Sequence, residues 1–443
     1  MVTSAVKDGY EQIEVGIIPE DWDVVRIGDH FDFKNGLNKE KRYFGFGTPI
    51  VNYMDVYTHT GIKLTDIMGK VSVSKGELLA YEVRKGDVFF TRTSETVDEI
   101  GLSSVILEDV KNTVFSGFLL RARPKTDYFD LQFKKYCFRS AIVRKQIMSM
   151  SCETTRALTN GKQLSSVIML VPKNKKEQSI LAQVLSDIDF LIQSFDRLIE
   201  KKKNIKQGTM QELLKGTNRL QGSWETKEGK KWTPLGQIPE DWDVKKLGEI
   251  AYITKLAGYE YSKYFNSYKD SGDIIVIRGT NITNNKLDLS DVRTIPKSTS
   301  EKLPRSKLFA NDLVFAYVGT IGPVFLIEDN DRYHLGPNTC KIVAEKTVVP
   351  KFLFCYFTSW LINKEIAEQI SIGAQPSLSM SKIRNFDLIV PGSIDEQNAI
   401  AEVLTDMTKE IEALECQRDK YRQVKSGMMQ QLLTGRIRLT CKN

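Results

Sequence analysis

A chain of 443 residues exceeds the roughly 250–300 residues over which a single hydrophobic core keeps growing, so two to four domains are expected at about 150 residues each. With 41% hydrophobic and 27% charged residues it has enough apolar material to fold, which excludes wholesale disorder. The net charge of +7 permits nucleic-acid binding without identifying it.

No run approaches the ~20 apolar residues of a membrane span, and the polar start is unlike a signal peptide, so a cytoplasmic location is expected. The six cysteines (Cys137, Cys152, Cys340, Cys355, Cys416, Cys441) form no CxxC pair, and there are three histidines, His30, His59 and His334. Neither a disulfide framework nor a zinc site fits that spacing.

The chain is written twice. Ile18-Pro19-Glu20-Asp21-Trp22-Asp23-Val24 returns as Ile238-Pro239-Glu240-Asp241-Trp242-Asp243-Val244, with Gly28 returning as Gly248. Val171-Pro172 matches Val390-Pro391, Glu177-Gln178 matches Glu396-Gln397, and Gly216, Arg219 and Leu220 match Gly435, Arg438 and Leu439. A tandem duplication with a period near half the chain is the direct reading.

Each copy opens with short β-rich runs such as Asp87-Val88-Phe89-Phe90, Val105-Ile106-Leu107 and Leu313-Val314-Phe315, punctuated by Gly, Asn and Asp. Stretches 129–149 and 350–370 read as helical, giving an α+β domain. Each copy closes with a long helix. Asn174-x-x-Glu177 and Ser393-x-x-Glu396 have the spacing of capping boxes, and Gly216 and Gly435 stand where a C′ glycine ends a helix. The intervening 41 residues in each copy would span roughly 60 Å. Leu181, Val184, Ile188, Leu191, Phe195, Leu198 and Ile205, with Leu185, Ile192 and Ile199 alongside, form a coiled-coil seam, as do Ile400, Leu404, Ile411 and Val424. Gly208 and Gly427 lie at matching places inside the helices, where close approach or a bend would explain them. Trp22 and Trp242 are expected core anchors. The expected architecture is two globular domains separated by two long antiparallel coiled-coil helices in a pseudo-twofold repeat, with boundaries at 1–172, 173–222, 223–391 and 392–443.

The PEDW box, a variable domain ending in VP, a following E-Q helix and a closing LL-x-G-x-x-R-L resemble the DNA-specificity subunit of type I restriction–modification systems, in order and in both copies. The resemblance implies two target-recognition domains, each reading half of a bipartite DNA sequence, on a subunit with no catalytic site, cofactor or metal of its own. Two methyltransferase subunits would methylate adenine N6 with S-adenosylmethionine. Two restriction subunits, using ATP and Mg, would translocate and cut double-stranded DNA. The family's G-x-Q tract stands here as Gly373-Ala374-Gln375, whereas the first copy has Cys152-Glu153-Thr154-Thr155. The other reading is a protein-binding scaffold without sequence-specific DNA contact.

The residues argue the same way against catalysis. There is no D/N-P-P-Y/F tetrapeptide and no GxxxxGK[ST] phosphate cradle. Phe44-Gly45-Phe46-Gly47-Thr48 reads as a turn, and Asp189 with Glu200 and Lys202 lies along a helix where the carboxylates cannot converge on a metal. Lys201, Lys202, Lys203 and Lys206 read as a solvated helix face, with phosphate contact as the alternative.

DNA contact requires amides and cations at base edges, and cations, hydroxyls and phenols at phosphates. In the first domain Lys34, Asn35, Lys39, Lys41, Arg42 and Tyr43 form a basic, aromatic-interleaved segment, and Arg84, Arg92, Thr93 and Ser94 flank a strand. In the second, Lys255, Tyr259, Tyr261 and Lys263 correspond, with Arg278, Thr280 and Asn281 following Ile274-Ile275-Val276-Ile277.

Overall fold

The computed structural model describes residues 8–13, 16–153, 157–264, 272–370 and 376–439. It divides into two compact units, one of Met1–Asp196 with Cys416–Asn443, the other of Arg197–Glu415. The division falls inside both long helices, so each unit holds one α+β domain, the start of one helix and the end of the other.

In the first unit Trp22–Arg26 pairs antiparallel with Ile168–Pro172, Trp22 opposite Pro172. The repeated box and the VP dipeptide are therefore two sides of one ladder. Between them a five-stranded sheet runs in the order Phe31–Asn35, Leu119–Pro124, Val88–Thr91, Ser103–Ile106, Gly61–Ile62. Val88–Thr91 and Ser103–Ile106 are buried at every position, Thr91, Ser103 and Ser104 included, so both faces of the sheet are covered there. The expected helix over 129–149 is instead two, Lys134–Cys137 and Ala141–Met150. Ser140 is extended (ψ 150) and starts the second.

The second unit repeats the frame. Trp242–Lys246 pairs with Asp387–Pro391, Trp242 opposite Pro391. Its main sheet runs Ala251–Lys255, Thr339–Ala344, Leu313–Ala316, Val324–Leu326, beside a sheet of Arg293–Ile295, Ile274–Ile277 and Tyr333–Leu335. The stretch 350–370 also breaks, into Pro350–Phe357 and Trp360–Gln369, with Ser359 extended between them. Trp22 and Trp242, 2% and 0% exposed, anchor the two main cores.

The long helices are Lys175–Lys215 and Ile394–Leu432, of 41 and 39 residues. In the first unit Asp189 meets Lys425 at 2.5 Å, Asp196 meets Arg418 at 3.4 Å, and Phe195 stacks on Tyr421. In the second, Lys202 meets Glu410 and Lys203 meets Glu415. In the first unit, rising numbers on one helix meet falling numbers on the other, so the pairing there is antiparallel. The buried stripe is Leu181, Leu185, Ile192 and Ile199, while Leu198, Ile205 and Val424 stand exposed. Expected residues Leu181, Ile400, Leu404 and Ile411 are buried together with the companions Leu185, Ile192 and Ile199, whereas Leu198, Ile205 and Val424 are not. A Cβ at Gly208 or Gly427 would meet nothing within 4 Å, so neither glycine serves close helix approach.

The repeated residues at the helix ends form one device, built twice. Glu177 and Glu396 do not reach back to cap their helices. Asn174 Oδ1 accepts from the Lys176 amide at 2.9 Å, while Glu177 turns inward to Trp22 Nε1 and to Arg438. Likewise Trp242 Nε1 donates to Glu396 at 3.0 Å, and Arg219 donates to both oxygens of Glu396 and of Asp241. Arg438 does the same for Glu177 and Asp21. The neighbouring Gln178 and Gln397, fully buried, bond Pro172 O and Pro391 O. Gly216 (φ +65) and Gly435 (φ +71) end the helices as expected. A Cβ there would strike Pro239 or Pro19 at 2.5 Å, so the same glycine that turns the chain lets it lie against the box proline.

Candidate nucleic-acid interface

Strand register decides which candidate residues meet. In the first domain Asn35 lies opposite Leu120, Leu120 opposite Phe90, and Leu119 opposite Thr91. The end of Phe31–Asn35, the start of Leu119–Pro124 and the end of Val88–Thr91 therefore share one end of the sheet. From that end leave the segments bearing Lys39, Lys41, Arg42 and Tyr43, and Arg92, Thr93 and Ser94. Arg84 precedes the other end of Val88–Thr91, so the structure separates it from Arg92.

The second domain repeats the arrangement. Lys255 lies opposite Cys340 and Ala316 opposite Thr339. A Cβ at Gly279 would sit 3.7 Å from Asn338 and 3.8 Å from Ala316. Lys255 and the Arg278–Asn281 turn thus come to the same sheet end. Tyr259 and Lys263 ride on the short helix Gly258–Tyr264 just beyond Lys255. The side chain of Tyr261 lies outside the described residues, as do those of residues 152–156 and the whole Gly373-Ala374-Gln375 tract.

The side chains differ in what they are free to do. Lys39 donates to Ser72 O and to Glu77 at 2.7 and 2.8 Å, and holds the Glu77 carboxyl down at about 2. Asn281 is buried, with Oδ1 accepting from the Arg278 amide and Nε and Nδ2 donating to Asp288 O and Asp291 O. Arg278 also pairs with Asp291 at 3.0 Å. These three hold loops in shape. Lys34 donates to Ala80 O, and Ser94 to Glu99. Arg42 and Arg84 make short-range pairs with Glu40 and Glu82 that leave them largely in solvent. Asn35, Lys41 and Thr280 are exposed and make no side-chain hydrogen bond or ion pair among the described residues. Lys255 and Lys263 rest over the rings of Tyr317 and Tyr264, and Tyr259 is exposed.

The spacer lysines divide. Lys202 and Lys203 pair across to the other helix, Lys201 is exposed, and burial lowers the pKa of Lys206. Asp189 accepts from Tyr136 and Lys425, a structural pairing. No cluster of metal-ligating side chains occurs among the described residues, and none of their helices is long and apolar enough to cross a membrane.

Two features of the first domain correct or add to the sequence reading. Phe44-Gly45-Phe46-Gly47-Thr48, expected as a turn, instead begins strand Phe44–Val51, where Phe44 and Phe46 are exposed just after Lys41 and Arg42 and Gly45 and Gly47 have φ of 101° and 92°. The alternation of Phe and Gly was the available signal. At the sheet end that bears Thr93, a crevice of about 410 Å³ opens, lined by Tyr53, Tyr57, Thr93, Glu99 and Phe118 among others. It joins residues too far apart in sequence to be paired by eye.

Two domains on one frame, each presenting a different polar and aromatic set from the same sheet end, define a class of tandem recognition protein. Residues 239–420 match the type I restriction modification DNA specificity domain. The chain is 25% identical over 429 residues to the type I restriction enzyme MjaVIII specificity subunit of Methanocaldococcus jannaschii, covering 95% of this chain and 94% of that one. The S subunit of the M. genitalium type I restriction–modification system shares the fold with a TM-score of 0.53 at 13% identity, over 95% of this chain and 97% of that one. A chain from a structural study of type I complex assembly and conformational transition gives 0.56 at 13% identity, over 95% and 99%. The chain is thus similar to specificity subunits of type I restriction–modification systems, over residues 239–420 by the family model and over nearly its whole length by that relative, and it shares the fold of such subunits, with the α+β tandem architecture expected.

Proposed function

We infer that this chain is the sequence-specific DNA-binding subunit of a type I restriction–modification enzyme, reading a bipartite target and directing methyltransferase and restriction subunits to it. It is a non-catalytic subunit. The observation that carries the reading is the pair of sheet ends: matching frames, closed by ladders in the same register, display unlike residues. That is what two half-sites of different sequence require. Segments 1–172 and 223–391 act as target-recognition domains, and 173–222 and 392–443 as spacers. Asn35, Lys41, Arg42, Arg92, Lys255, Tyr259, Lys263 and Thr280 are the contact residues supported by exposure or by freedom from other bonds. Two methyltransferase subunits bring S-adenosylmethionine, and two restriction subunits bring ATP and Mg, in the cytoplasm.

Exchanging residues 20–171 for the matching domain of another such subunit tests the reading. Sequencing of methylated sites should show one half-site changed and the other kept. A complex that binds DNA with no bipartite preference would favour the scaffold reading.

A further inference from the structure

We propose that the crevice beside Thr93 reads the exocyclic amino group of a single base, adenine N6 or cytosine N4, in the first half-site, with Glu99 as the acceptor; this rests on the DNA-reading function above. The register places the crevice at the interface end of the sheet. Thr93 and Ser94 line it directly after strand Val88–Thr91, and Phe118, whose carbonyl accepts from the Arg92 amide at 3.0 Å, forms another wall.

A carboxylate on a surface that approaches phosphates is repelled by them. It is favourable there only where it accepts a proton that phosphate cannot compete for, and base amino groups in the major groove are such donors. Glu99 is set up to accept. Tyr57 donates to one oxygen at 3.0 Å and Ser94 to the other at 3.1 Å, which fixes the carboxylate plane while leaving each oxygen a further lone pair. The carboxylate beside it raises the pKa of the Tyr57 phenol, so the phenol keeps its proton and remains the donor of that bond. Tyr57 is itself held by stacking on Tyr53, with ring centroids 6.0 Å apart and planes at 19°.

The walls suit a base edge. Met54 and Phe118 are 56% and 57% exposed, although each presents apolar surface to water next to a polar floor. Such surface gains by meeting a base face or a thymine methyl. A volume of about 410 Å³ admits the edge of one base with part of its neighbour. No equivalent carboxylate is needed in the second domain, because each domain reads its own half-site.

The test uses the full complex with its methyltransferase subunits. Competition binding is measured on duplexes carrying purine for adenine, or 2-pyrimidinone for cytosine, at each position of the first half-site in turn. The wild type should lose roughly tenfold or more in affinity at one position, and the base replaced there identifies adenine or cytosine. Glu99→Met, which keeps the side chain's length but removes both acceptor oxygens, should abolish that penalty and leave the second half-site's preferences unchanged. Tyr57→Phe, which frees the carboxylate without removing it, should shrink the penalty at the same position. If Glu99→Met keeps the second half-site and every preference of the first, the crevice does not read a base. A wild type without any sequence preference would overturn the DNA-reading function itself, and this proposal with it.

Discussion

Arg438 donates to both carboxylate oxygens of Glu177, at 2.7 and 2.9 Å, although 261 positions separate them. The end of the chain is thereby fastened to the start of the first long helix and, through Asp21, to the first copy of the repeated box. Arg219 makes the matching connection within the second unit. Glu396 is 1% exposed and Glu177 9%, and a buried carboxylate left unpaired costs about 3–5 kcal/mol. Arg219→Ala should approach that loss, and Arg438→Ala should lose less because its guanidinium is more open. Hydrogen exchange by mass spectrometry locates the damage. Arg438→Ala should speed exchange in Trp22–Arg26 and Ile168–Pro172 and spare Trp242–Lys246; equal acceleration in both units would contradict two separately closed units.

The same device carries a pH dependence. The hydrogen bonds from Arg438 hold the Asp21 carboxyl below its ordinary value of 3.8. A carboxylate with a lowered folded-state pKa stabilises fully above its unfolded value and loses that contribution as pH falls through the folded one. The stability difference between wild type and Asp21→Asn should therefore be constant from neutral pH down to about 4 and vanish below it. A difference that grows on acidification would reverse the assignment.

The bonding of the basic residues in the first domain separates two kinds of lysine. Lys41 is exposed and unpaired among the described residues, whereas Lys39 is committed to Glu77 and Ser72. Lys41→Ala should weaken binding to all sequences alike and lower the slope of log K against log salt by about one. Lys39→Ala should instead loosen the 72–77 segment and leave that slope nearly unaltered. Titrations at several salt concentrations check both, and equal slopes for the two variants would remove the distinction.

Much of this was legible because it was written twice. The box, the VP dipeptide, the glutamates and the helix-ending glycines could be aligned by eye, and each proved to touch another member of the same set. What the glutamates do was not legible. Asn174-x-x-Glu177 has capping spacing, but the local bond yields to a buried arginine that comes from far along the chain. The seam is legible but too wide in the sequence for a similar reason: Leu198 and Ile205 satisfy a 3–4 pattern as well as Ile192 and Ile199 do, and only the partner surface decides between them. Asn281 was read as a base-reading amide, yet its four bonding positions are taken by its own loop. Composition cannot tell an amide that faces DNA from one that shapes the turn beneath it.

The long helices supply the sharpest test of the spacing function. An insertion of seven residues into each, between Asp196 and Lys202 in the first and between Glu410 and Arg418 in the second, falls between ion pairs and keeps the heptad seam in phase. It lengthens each helix by about 10 Å, or roughly three base pairs at 3.4 Å each. Four residues would instead turn the downstream part by about 40° beyond a full turn and break the seam. Three added base pairs turn the second half-site by about 100°, while a heptad turns the helix by only about 20°. Binding should therefore weaken even as the preferred gap lengthens by about three base pairs, with both half-sites unchanged. Sequencing of the sites methylated by the reconstituted complex reads the gap directly. An unaltered gap at full activity would mean that something other than these helices sets the distance.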